Sequence, residues 1–167
     1  QLWDAARAER PIDQLTRHLP CDFLVVDQRA FDPSRILLPT NGGPDAAVAA
    51  SVATALRDAT GAAVTLLHVV PDEAERATGE AFLREWAADH DLADETLRVV
   101  VGDVEDEIVA AAADRTLVLL GATERGVLSR LARGSLHMDV RERIDASVAL
   151  AERARPRSLR ERLFGSR

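Results

Sequence analysis

The chain has 167 residues, 47% of them hydrophobic, enough apolar material to bury a full core in one domain with extensions. It holds no long apolar run and no charged-then-apolar leader, so no membrane span or signal segment is expected in it. The net charge is −7, and this acid excess excludes nucleic acid as an expected partner, because a phosphate backbone would be repelled over most of the surface.

All 21 basic residues are arginine. An acidic, lysine-free, alanine-rich chain suits a high-salt cytoplasm, where a carboxylate-covered surface stays soluble; a GC-rich genome favours the same residues. The single cysteine, Cys21, excludes an internal disulfide, suits a reducing compartment, and reads as a small core residue entering a strand.

In chain order, residues 3–18 can form a helix that Pro11 restarts or kinks. Phe23 to Val26 reads as a strand, followed by the turn residues Phe31-Asp32-Pro33-Ser34. Arg35 to Pro39 is a short apolar strand ending on the loop Pro39-Thr40-Asn41-Gly42-Gly43-Pro44. Pro44 then opens a helix whose inward face is predicted as Val48, Val52, Leu56 and Ala59, and Gly61 stops it. Ala63 to Val70 is a buried strand in which His68 reads as a hydrogen-bonded core residue. A helix from Asp72 to about His90 is expected to bury Phe82 and Trp86, one turn apart. Thr96 to Val101 is a strand; Asp103 caps a helix with Val104, Ile108 and Ala111 inward; Thr116 to Leu120 is the next strand. After a glycine-bearing segment, a helix ends at Arg141 to Ile144 and Ser147 to Leu150 gives the last strand.

Strands alternate with helices and are continuous apolar runs, which predicts an α/β fold: a five-stranded, parallel, doubly wound sheet of order 3-2-1-4-5 with an extra N-terminal helix and strand. In that order the direction of winding reverses between the strand ending at Pro39 and the strand ending at Leu120, and ligands of such sheets settle beyond the carboxyl ends of strands at that reversal. The loop after Pro39 and the segment from Gly121 to Gly134 and Ser135 would then face each other, two glycine turns able to bring backbone N–H groups close to an anion.

With an offset of 125, Leu15, Leu19, Cys21, Phe23 and Val25 fall on Val140, Ile144, Ala146, Val148 and Leu150, so a helix end, turn and strand occur twice. The organisation read from this is a remnant of a preceding repeat over 1–33, an α/β domain over 34–152 and a basic tail over 153–167. The strand at Phe23 is predicted to pair with the strand at Val148. The tail holds six arginines against Glu161, a local balance of +5 on a body of −12, with Leu159, Leu163 and Phe164 at helical spacing; such an end can dock on its own domain, an acidic partner or anionic lipid.

Arg35-Ile-Leu-Leu-Pro-Thr-Asn-Gly-Gly resembles the first strand and turn of the universal stress protein family, Thr65 to Val70 resembles its second strand, and Gly121 to Ser135 is similar to its Gly-x2-Gly-x9-Gly-Ser/Thr nucleotide motif, with Gly121, Gly134 and Ser135 in register. The likeness covers about residues 35–151, and Arg7 to Val26 is similar to the family's C-terminal helix and strand. It implies a site for ATP, with magnesium if bound: adenine on the backbone around Val69, ribose at Asn41 in the Thr40 turn, and phosphates at Gly121, Gly134 and Ser135. Two positions depart from the pattern. The family's acidic residue after the first strand is Asn41, and its second glycine is Glu124, a carboxylate where a triphosphate would lie. The reading is therefore a non-enzymatic regulatory or interaction domain with a degenerate nucleotide site, the alternative being a functional ATP- or AMP-binding domain.

The arrangement of repeat remnant, full domain and arginine-rich end also resembles the stress-protein modules fused behind amino-acid permeases of salt-loving archaea. That implies a cytoplasmic location, possible tethering to the inner face of the plasma membrane through a parent transporter, and contact with a second copy or a neighbouring repeat through the last strand. A third alternative is enzymatic. Asn41-Gly-Gly-Pro-Asp45-Ala46 resembles the Ser-Gly-Gly-x-Asp-Ser loop of ATP pyrophosphatases, with both serines missing. No metal site is read, since His18, His68, His90 and His137 are scattered, and Ser34, Ser51, Ser129 and Ser147 lack a context that would activate one of them.

Overall fold

The computed structural model describes residues 22–27, 31–121 and 146–153. The predicted helix over residues 3–18 with Trp3 and His18, Cys21, the segment carrying Glu124, Gly134, Ser135 and His137, and the tail beyond residue 153 lie outside the described residues.

The described elements are β1 (Phe23–Asp27), β2 (Arg35–Pro39), α1 (Pro44–Thr60), β3 (Ala63–Val70), a 3-10 turn (Glu73–Glu75), α2 (Arg76–Asp89), β4 (Thr96–Val101), α3 (Val104–Ala112), β5 (Leu117–Gly121) and β6 (Ser147–Glu152). They form one sheet of order β1-β6-β5-β2-β3-β4. Pairing is parallel from β6 through β4, with Ile36 opposite Val64 and Leu117, His68 opposite Val99, and Gly121 opposite Ala151. The five parallel strands have the predicted 3-2-1-4-5 order, and β1 is hydrogen-bonded beside β6, as the internal repeat predicts.

Side chains of β2 alternate faces. Ile36 and Leu38 join the core under α1 and α2, and Leu37 joins the core under α3. With helices on both faces, the strands must be apolar throughout, and the central β2 and β5 are fully buried but for Arg35. At the edge, β4 alternates between exposed and half-buried positions over Thr96 to Val99, which is why Arg98 is tolerated there.

Three helix faces differ from the sequence expectation. The buried face of α1 is Asp45, Ala46, Ala49, Ala50 and Ala53, whereas Val48, Val52 and Leu56 only flank the core and Ala59 is exposed. A ridge of alanines lets the helix backbone settle close to the sheet, and the larger aliphatics then fill the sides. Val104 is 40% exposed because it starts α3, ahead of the turn that reaches the sheet; Ile108, Val109, Ala111 and Ala112 make the contact. Phe82 is half-buried because it lies over the β2–α1 turn, while Trp86 is a core anchor as expected.

Helix ends follow local chemistry. Asp103 caps α3 by accepting from the amides of Glu105 and Asp106. Asp72 does the same for Ala74 and Glu75, so its segment opens as a 3-10 turn before α2 begins at Arg76. Gly61 closes α1 in the left-handed conformation (φ +72°), its amide donating to Arg57. The strand predicted to start at Thr116 starts one residue later; the Thr116 hydroxyl and amide instead tie β5 to Arg35 at the mouth of β2.

Candidate functional site

The ends of β2, β3 and β5 meet at the reversal point of the sheet, because β2 lies between β3 and β5. Beyond Pro39 the chain takes one further ladder bond, from the Thr40 amide to the Leu67 carbonyl at 2.9 Å, and then turns. Two side chains shape that turn. The Thr40 hydroxyl accepts from the Gly42 amide (3.1 Å), and the Asn41 Oδ1 accepts from the Gly43 amide (3.1 Å). Gly42 has φ +84°, and a Cβ there would stand 2.9 Å from the Phe82 ring, so only glycine lets the turn lie against α2. Thr40 is buried and Asn41 is exposed, which leaves the asparagine at the surface of the turn.

Gly121 closes β5 next to this turn, but its bare Cα has a packing reason. A Cβ would lie 2.6 Å from the amide nitrogen of Ala46 and 2.9 Å from the carbonyl carbon of Asp45, both backbone atoms in the first turn of α1. The first turn of α1 already holds an acidic group, Asp45, which is 3% exposed and sits where the helix dipole favours negative charge. Val69 is half-buried near the end of β3, one residue beyond His68. The structure therefore brings together Thr40, Asn41, Val69 and Gly121 at one end of the sheet; Glu124, Gly134 and Ser135 lie outside the described residues.

His68 was legible only as a hydrogen-bonded strand residue. It is half-buried, its Nδ1 stands 2.9 Å from the Thr40 carbonyl oxygen, and its ring centre lies 4.7 Å from that of Phe82. On the β4 side of the same end, Arg76 donates to the Val99 carbonyl (2.9 Å) and to Glu73 (2.6 Å). The hydrogen bond from Arg76 holds the Glu73 carboxyl below its ordinary range. At the opposite end of the sheet, a shallow groove of about 470 Å³ lies between the C-terminal halves of α1 and α2, lined by Thr54, Asp58, Asp89, His90 and Asp91 among others. Among the described residues no group of three or more His, Cys, Asp or Glu side chains is arranged to hold a metal ion, and no helix is long and apolar enough to cross a membrane.

This end of the sheet presents an exposed Asn41 on a fixed turn, a half-buried Val69 near the end of β3, and glycine at the end of β5. A parallel sheet with helices on both faces and a fixed polar turn at its reversal point defines a doubly wound α/β domain. The sequence matches the Universal stress protein family over residues 33–151, and the chain belongs to that family.

Solved structures share the fold. A universal stress protein in complex with cAMP is 22% identical, with 70% of this chain and 94% of that chain covered and a TM-score of 0.54. A universal stress protein from Archaeoglobus fulgidus DSM 4304 is 19% identical with a TM-score of 0.57; 78% of this chain covers 50% of that one, so this chain spans half its length. A universal stress protein from Archaeoglobus fulgidus in complex with dAMP is 15% identical, covered at 70% and 96%, with a TM-score of 0.51. No curated protein matches the chain.

Proposed function

We propose that this domain is a regulatory or interaction module, not a catalyst, whose cleft receives the adenosine part of a nucleotide while holding the phosphates weakly. The observation that carries this reading is the state of Asn41. Its carbonyl oxygen closes the turn onto Gly43, so the other end of the side chain offers a ligand an NH2 donor. An aspartate in that place would offer a second acceptor oxygen for sugar hydroxyls. On the phosphate side, Glu124 stands in the sequence where the family's motif has glycine, and a carboxylate there opposes an anion. The relatives solved with cAMP and dAMP support an adenine nucleotide as the ligand class.

The rival reading, a competent ATP–magnesium site, is favoured by Arg125, Arg130 and Arg133, which follow Glu124 in sequence and can offset its charge. The pyrophosphatase reading requires Asp45 to reach a ligand, and the burial of that carboxylate at the start of α1 argues against it. We also propose a cytoplasmic setting, attachment to an amino-acid transporter, and contact with a second copy or neighbouring repeat. Such a neighbour would meet the sheet at β1, since β1 covers the last strand, β6. Transmembrane helices encoded upstream of Gln1 would support the transporter attachment, and a lone cytosolic reading frame would remove it.

The test is calorimetric titration with AMP, cAMP and ATP–magnesium, alongside thermal denaturation. A micromolar site would add roughly 4 kcal/mol of stability at a thousandfold ligand excess; the proposal expects much less with ATP. Combining Asn41→Asp with Glu124→Gly should tighten ATP binding about tenfold or more, and no gain would refute the diagnosis. Release of pyrophosphate from ATP would establish a catalyst instead.

A further inference from the structure

We infer that His68 is the positioning residue of the cleft: by donating from Nδ1 to the Thr40 carbonyl, it holds the Thr40–Gly43 turn in the shape that presents Asn41 to a ligand. The ligand half of this statement rests on the nucleotide reading above; the clamp on the turn does not.

Thr40 lies one residue past the end of β2, where its peptide groups would otherwise leave the ladder. Consecutive residues of β3 take both of them, Leu67 through its carbonyl and His68 through its ring. A backbone carbonyl only accepts, so Nδ1 carries the proton in either charge state of the ring. With both of its peptide groups fixed, Thr40 sets its hydroxyl under the Gly42 amide, and Asn41 closes on Gly43. The ring itself has little freedom. Phe82 packs against it at a 51° tilt, and a Cβ on Gly79 would come within 3.1 Å of its Cδ2. Phe82 also lies against Gly42, so α2 touches the turn directly and again through His68. The next residue, Val69, packs with the core on the opposite face of the sheet, beneath α3. Adjacent residues of one strand thus face opposite ways, one fixing the turn and the other joining the core beneath α3.

In the wild-type protein, long-range proton–nitrogen correlation spectra should find His68 protonated at Nδ1; a ring protonated only at Nε2 would overturn the inference without any variant. His68→Leu should speed amide exchange at Gly42 and Gly43 roughly two- to tenfold, the range one hydrogen bond supports, while amides of the β3–β4 ladder keep their protection. The same variant should weaken AMP binding by a similar factor, and His68→Asn, whose amide nitrogen stands near the place of Nδ1, should restore most of both. Unchanged exchange at Gly42 and Gly43 in His68→Leu would refute the clamp. If His68→Leu does not fold, the tautomer and the His68→Asn exchange pattern decide. If wild-type protein takes up no AMP while the exchange pattern is as expected, the clamp stands and the nucleotide reading falls.

Discussion

Replacing Gly121 with alanine separates two reasons for that glycine, a ligand's need for close backbone approach and the helix's need for it. The added Cβ would sit 2.6, 2.9 and 3.1 Å from three backbone atoms of Asp45 and Ala46. Comfortable carbon contacts begin near 3.5 Å, so something must move by about 1 Å. The strand is held by its pairing with Ala151 of β6, and the obstructing atoms belong to a helix, where no side-chain rotation gives relief. Overpacking of this kind costs about 1–3 kcal/mol, offset by up to about 1 kcal/mol from the stiffer unfolded chain, because Gly121 is not in a left-handed conformation that alanine would resist. A net loss of about 1–2 kcal/mol should lower the urea midpoint by on the order of 0.5–1 M with an unchanged slope. An unchanged midpoint together with lost nucleotide binding would refute the packing argument and return the glycine to the ligand.

Trp86→Ala should destabilise by about 3–5 kcal/mol in urea, since the indole is 7% exposed, stacks on His90 at 4.2 Å and lies near Gly42. Asp103→Ala should cost about 1 kcal/mol through the freed amides of Glu105 and Asp106, and Asp103→Ser should recover most of it. Glu73 has its folded pKa depressed below 4.5 by Arg76, so its contribution is present above the unfolded value and is lost as pH falls through the folded one. Carboxyl chemical shifts should therefore place its titration below 4.5 in wild type and nearer that value in Arg76→Ala; equal midpoints would contradict the pairing.

The sheet was readable because each strand is a short apolar run bounded by turn residues, and because helices between the strands leave a parallel sheet as the consistent solution. The helix faces were less readable. Val48, Val52 and Leu56 dominate any reading by size, yet the surface of α1 that meets the strands is the smaller Ala46, Ala49, Ala50 and Ala53. At the carboxyl end of the sheet, Thr40, Asn41, Val69 and Gly121 were legible as a group from the order of the strands, since their placement at one end follows from topology alone. The role of His68 was not, because the bond to Thr40 joins residues 28 positions apart and depends on a rotamer. The one signal was a polar ring interrupting Ala63 to Val70 close to the strand's end. The contact between Gly42 and Phe82 was equally hidden, and it explains why an aromatic side chain stays half out of the core.

The position of β1 beside β6 has a practical consequence for anyone trimming this chain. A piece cut to the family-matching residues 33–151 would lose β1 and leave the amides and carbonyls of β6 bare along one flank. Such a naked strand invites other molecules to stack on, so the shortened protein should precipitate or self-associate more readily than the longer one.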